Sequence, residues 1–264
     1  MKKYQTYFRT TLREYFVYKA DVFLGMIFNI IFFAVSFAIW ASVYREGNIS
    51  QIAGFSLVDT ITYYFITSII WRFDASEETF LGDMIWNGYL TNDLIRPINA
   101  RIMSILDAFS GVLVNVLLFI PIGLAIILVA HKYLTLPTSA NLLYFIISLL
   151  LGMVVNLAFF LIVHALTFHY GDQEASFDLL DFITKFLAGA TVPLMFLPGK
   201  LRIVLEYLPF KYIFNDPINI YLGKMDVRQI YYSFAGAIIW SVAFYVIFYK
   251  VYKSGLKKYT GIGR

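Results

Sequence analysis

The sequence predicts an all-α integral membrane protein with six transmembrane helices, an N-terminal amphipathic interfacial helix and an external re-entrant helical hairpin before the last span. Three observations predict it. Of the 264 residues, 60% are hydrophobic and only 14% are charged, where a soluble domain carries about a quarter charged. The apolar residues come in unbroken runs, each long enough to cross a hydrocarbon core of about 30 Å. Lys and Arg gather at the chain ends and between the runs, which is how membrane topology is encoded. The net charge of +4 is therefore a topology signal. A nucleic-acid partner is excluded, because no water-facing domain exists to carry a basic stripe. With no Cys, disulfides and cysteine-based metal sites are excluded as well.

Residues 1–20 are too charged to cross. Tyr4, Tyr7, Phe8, Leu12, Tyr15 and Phe16 recur at helical spacing, with Lys3, Arg9, Arg13 and Lys19 largely elsewhere, so an interfacial helix is expected. The run from Val22 to Tyr44 is too long for the apolar region of a secretory signal and reads as the first span, retained in the mature protein. The second span covers about Phe55 to Trp71. A polar stretch, 72–101, follows. The third span runs from about Ile102 to Ala130 with Pro121 inside it, a kink position. The fourth covers about Leu142 to Phe168, and the turn His169–Ser176 leads into a fifth ending near Phe196. Residues 197–228 hold Pro198, Pro209 and Pro217 between apolar pieces too short to cross, the pattern of a re-entrant segment. The sixth span runs from about Ile230 to Tyr252, before a basic tail.

With six spans the two ends share a side. Each end holds five basic residues and the 72–101 loop three, so that side has thirteen against seven opposite. Both termini are therefore expected in the cytoplasm. The chain reads as a single transmembrane domain, 1–264, in a cell (inner or plasma) membrane.

No phosphate-cradling Gly-x-x-x-x-Gly-Lys-Ser/Thr occurs, so an ATP-driven reading needs a separate ATPase. In the 72–101 loop, Phe80, Leu81, Met84, Ile85 and Trp86 form an apolar face at helical spacing, with Glu77, Glu78 and Asp83 opposite. Two readings stand: a helix resting on lipid, or a helix docking into a partner's groove. The run Asp83-Met84-Ile85-Trp86-Asn87-Gly88-Tyr89-Leu90, then Asp93-Leu94-Ile95-Arg96-Pro97, resembles the cytoplasmic loop of type-2 ABC (ABC-2) exporter permeases, in the branch of daunorubicin- and viologen-export permeases. A second match is Gly189, Pro193, Leu194, Phe196 and Pro198, then Leu208-Pro209-Phe210, Pro217 and Gly223, similar to that family's segment before its last span. The tail with Tyr259, Gly261 and Gly263 is similar to the family's ending. The chain departs from the pattern at Asn92 and Asp93, where the family is more apolar.

The resemblance implies a permease moving an amphiphilic or hydrophobic compound outward, with no cofactor of its own and with ATP and Mg²⁺ on a partner ATPase subunit. It implies a second permease copy or a homologue, in a lipid bilayer. Asp83, Ile85, Trp86, Gly88, Leu90, Leu94, Arg96 and Pro97 would contact the ATPase. Pro193, Phe196, Pro198, Leu208, Pro209, Phe210 and Pro217 would build the outer gate.

Polar residues inside the spans are costly and draw attention. Asp178, Asp181 and Lys185 share one face of the fifth span, and Asp181 and Lys185 are spaced to pair within the helix. They read either as a self-neutralising pair near the interface or as a polar lining to a cavity. Asn29, Asn115 and Asn156 read as interhelical hydrogen-bond formers or as cavity contacts. His164 and His169 are poorly spaced to share a metal, and no metal site is expected. Two competing functions are an ion- or proton-coupled transporter, which would usually show internal repeats, and a non-transporting scaffold.

Overall fold

The computed structural model describes residues 2–15, 19–75, 81–95, 99–171 and 174–260. In chain order its helices are α1 (Lys2–Tyr15), α2 (Lys19–Glu46), α3 (Leu57–Ile70), α4 (Leu81–Trp86), α5 (Leu90–Ile95), α6 (Ala100–Ala130), α7 (Ser139–Ala165), α8 (Thr167–Tyr170), α9 (Glu174–Leu187), α10 (Gly199–Tyr207), α11 (Asn215–Tyr221) and α12 (Val227–Leu256). Among the described residues there is no strand, only an isolated bridge between Ile52 and Phe55. Side chains set several of the starts. Ser56 with Asp59 and Asp226 with Gln229 form capping boxes for α3 and α12, while Asn99 and Thr138 cap α6 and α7, each satisfying N–H groups a helix leaves orphaned.

Three stretches are long and apolar enough to cross a membrane: Ala100–Tyr133, Ser139–Tyr170 and Val227–Leu256. They match the third, fourth and sixth expected spans, and α6 runs on through Pro121. At 28 residues α2 covers the first. The second and fifth differ from expectation. Helix α3 has 14 residues and ends in a 3-10 turn, Trp71–Phe73. The fifth run to Phe196 is not one helix, because α9 stops at Leu187 after 14 residues. At 1.5 Å per residue each spans about 21 Å, short of the ~20 residues a crossing needs.

The stop of α9 has a visible cause. Gly189, at φ +88°, turns the chain out of the helix, a conformation that costs glycine little. The Tyr63 hydroxyl donates to the Gly189 carbonyl at 2.7 Å, and that of Tyr64 donates to Thr191 at 2.9 Å. The Asn215 N–H reaches the Ala188 carbonyl at 3.1 Å. Irregular backbone at this level is tolerated because protein groups satisfy it.

The two ends of the bundle are each tied together. At one end Lys224 meets Asp59 at 3.0 Å and donates to the Gly54 carbonyl at 2.9 Å, while the Thr135 N–H donates to Thr62 at 2.8 Å. At the other end sit α4, α5, α8 and the tail, with Tyr259 edge-on to Phe168 at 5.6 Å. Helix α1 joins that same end. Its Tyr7 hydroxyl donates to Asp107 at 3.0 Å and Thr11 to the same carboxylate at 3.3 Å, and Asp107 lies in the first third of α6. The N-terminal helix, the 81–95 segment and the C-terminal tail therefore share one end.

Helix α7 is the central post. Of its most apolar window 61% is buried, against 22% for α6 and 17% for α12. One apolar core joins it to α3, α11 and the near half of α12 through Phe65, Leu149, Val155, Ile213, Ile218 and Phe244. A second joins it to α4, α5, α6 and the far half of α12 through Leu81, Ile85, Leu90, Val112, Leu157 and Phe248. Close approach is made by small residues, as in membrane helix packing. A Cβ on Gly152 would collide with the Tyr212 carbonyl, and one on Gly236 with the Tyr212 hydroxyl.

Candidate functional site

The 81–95 segment folds as two short helices with Gly88, at φ +78°, between them. Its apolar face is consumed by the chain itself. Leu81 and Leu90 are fully buried and Ile85 nearly so, against Met153, Leu157, Leu161 and Ala165 of α7. Ile85 and Leu90, expected as contact residues, are seated against the chain's own α7. The exposed face carries Asp83, Asn87, Tyr89, Thr91, Asn92 and Leu94, with Trp86 half-buried. Arg96 and Pro97 lie outside the described residues.

Of the polar residues inside the spans, the structure gathers three around a fourth that the sequence did not single out. Asp74, just beyond the turn that ends α3, accepts a hydrogen bond from the Asn156 amide at 2.7 Å. Its other oxygen lies 3.2 Å from Lys185 Nζ, and Lys185 also meets Asp181 at 2.8 Å. The pair one turn apart on α9 is thus real, and it is extended across to α3 and α7. Asp74 and Asn156 are buried, so the attraction acts where water screens it little. Asp178 is exposed and Asn115 half-buried. The Asn29 side chain lies outside the described residues. Beside the network is a void of about 10 Å³ lined by Ile70, Phe73, Asp74, Met153, Asn156 and Ile213 among others, room for about one water.

The 197–228 segment threads back against α7. Gly152 stands 13 positions after Ser139, so the Tyr212 carbonyl packed on it lies about 20 Å along α7 from that helix's start. Pro193, Pro209 and Pro217 are buried, Pro198 is exposed and Leu208 half-buried. Phe196 packs on Trp40 and Phe55 at 5.0 and 5.6 Å, and Phe210 edge-on to Phe159 at 5.3 Å. Asp216, also missed in the sequence, is buried and accepts from Ser233 at 2.7 Å and Asn215 at 3.0 Å, with Lys211 at 4.0 Å. The segment is thereby held to α12.

The sequence profile described as ABC-2 family transporter protein matches residues 30–263. The chain belongs to the ABC-2 transporter family. It is the membrane-embedded, multi-pass permease component of an ABC transporter, a class that is not itself catalytic and that works with a cytoplasmic ATPase subunit. A search of curated proteins found no match. The match takes in α3 to α12 and most of α2, so the ABC-2 permease assignment covers both the 81–95 segment and the Asp74 network.

Proposed function

We propose that this ABC-2 permease exports an amphiphilic or hydrophobic compound, as one of a pair of permeases each driven by a cytoplasmic ATPase that holds ATP and Mg²⁺. In this reading six segments cross the membrane, the second and fifth as short helices continued by a 3-10 turn or irregular chain, and both termini are cytoplasmic. Helix α1 lies at the inner interface and 197–228 forms an external re-entrant gate. The observation that carries it is the common end shared by α1, the 81–95 segment and the tail, the most basic side by the count of Lys and Arg and so the cytoplasmic one.

The packing offers a route for force. An ATPase pressing on Asp83, Tyr89 and Leu94 pushes α4 and α5, whose Leu81, Ile85 and Leu90 are seated in α7. Close-packed interiors transmit displacement and do not absorb it. Helix α7 in turn carries Gly152, against which the gate segment's Tyr212 rests. Asp74 ties the start of the loop to α9, whose end leads into the same gate. The void beside the network, at about 10 Å³, has room for about one water, whereas small-molecule sites measure about 300–1,000 Å³. A substrate path between two permeases fits that better than one through a single chain.

The test is affinity purification of the chain from its native membrane, alone and as the Tyr89→Asp, Leu94→Asp double variant. The reading expects an ABC ATPase to co-purify with the first and to be lost from the second, both forms being equally folded. Absence of any ATPase from the wild-type preparation overturns it.

A further inference from the structure

A cleft of about 320 Å³ opens at the end of the bundle where α7 and α12 finish, lined by Ile85, Trp86, Thr167, Phe168, His169, Tyr170, Gly171, Lys258, Tyr259 and Thr260. Its walls are fixed. Gly171, at φ +85°, lies so near the Trp86 ring that a Cβ there would come within 3.1 Å of it. Tyr259 packs on Phe168 and its hydroxyl is 3.5 Å from that of Thr91. Among the described residues its polar lining consists of hydrogen-bond donors and one ammonium, with no carboxylate: Thr167, His169, Tyr170, Lys258, Tyr259 and Thr260. Thr167 is nearly fully buried and closes the floor of the cleft, while Lys258 is exposed at its rim.

Depth selects the occupant. Two stretches able to cross a membrane end at Tyr170 and Leu256, so the cleft lies at the level of the headgroups. Trp and Tyr are enriched at that level, and here Trp86, Tyr170 and Tyr259 surround the opening. We infer that the cleft binds the phosphate of an anionic lipid headgroup, with Lys258 as its counter-charge and the ring hydroxyls of Tyr170 and Tyr259 as donors. Cationic side chains favour phosphate oxygens through charge-assisted hydrogen bonds.

The chain is purified in detergent, and retention of phosphatidylglycerol and phosphatidylcholine, added in equal amounts, is read by mass spectrometry. Wild type is expected to retain phosphatidylglycerol preferentially, and Lys258→Ala and Lys258→Glu each to lose that preference at least fivefold. Lys258 is exposed, so neither substitution disturbs the packing. Equal retention of both lipids, or variants that retain like wild type, overturns the inference. Displacement by millimolar inorganic phosphate, with phosphatidylglycerol unbound, reassigns the cleft to a soluble anion and also overturns it. So does unchanged lipid retention with loss of a co-purifying ATPase, which would make the cleft a protein contact. A wild type that keeps the lipid but recruits no ATPase counts against the proposed function alone.

Discussion

Lys185 Nζ lies 3.2 Å from the Asp74 carboxylate and 2.8 Å from that of Asp181, so a single cation bridges α9 to the chain just beyond α3. Asn156 of α7 completes the arrangement at 2.7 Å. Removing one member of a buried pair leaves the other's charge uncompensated, at about 3–5 kcal/mol. Lys185 is partly exposed, so the lower end applies.

Lys185→Met is therefore expected to lower the melting midpoint in detergent, by about 3 kcal/mol of stability. The swap Asp74→Lys with Lys185→Asp is expected to recover part of it. Equal midpoints for wild type and Lys185→Met would show that the bridge contributes nothing.

Gly152→Val places a branched side chain on the Tyr212 carbonyl. Overpacking of this kind costs about 1–3 kcal/mol, and the folded, monodisperse yield should fall. Gly199→Ala serves as the control, since nothing lies within 4 Å of a Cβ there. A normal yield for both would mean that the 197–228 segment does not depend on this contact.

Asp107 holds α1 through Tyr7 and Thr11. Because the chain has no Cys, a single cysteine at Thr11 reports directly. It is buried in the native arrangement, with 8% exposure, and should react slowly with a maleimide. Adding Asp107→Leu is expected to speed labelling severalfold, as the helix then loses the Tyr7 hydrogen bond that remains, a bond to a charged acceptor contributing about 1.5–3 kcal/mol. An unchanged rate would mean apolar packing alone fixes α1.

Ile85→Asp and Tyr89→Asp lie one helical segment apart and should fail differently. The first buries a charge in the core around α7 and is expected to prevent folding. The second sits on an exposed face and should fold normally while losing the ATPase. Size-exclusion profiles separate the two outcomes; identical behaviour would remove the distinction drawn between the two faces.

The long helices were legible because an apolar run of membrane length has few alternatives. The Asp181–Lys185 pair was legible because helical spacing puts the two within reach. Asp74 and Asp107 were not, since their partners lie roughly a hundred positions away and a lone acid carries no signal of what it will meet. The apolar face of 81–86 was visible in the sequence, but periodicity shows only that a face will be covered. It was covered by the chain's own α7. The early stop of α9 was hidden for a related reason: Tyr63 and Tyr64, which satisfy its irregular end, belong to a different helix.

The most direct measurement is uptake of a fluorescent anthracycline into inside-out vesicles containing this permease and its co-purified ATPase. The account predicts accumulation that requires ATP and Mg²⁺, survives collapse of the proton gradient and is lost with Tyr89→Asp, Leu94→Asp. Accumulation that continues without ATP and disappears with the proton gradient would contradict it.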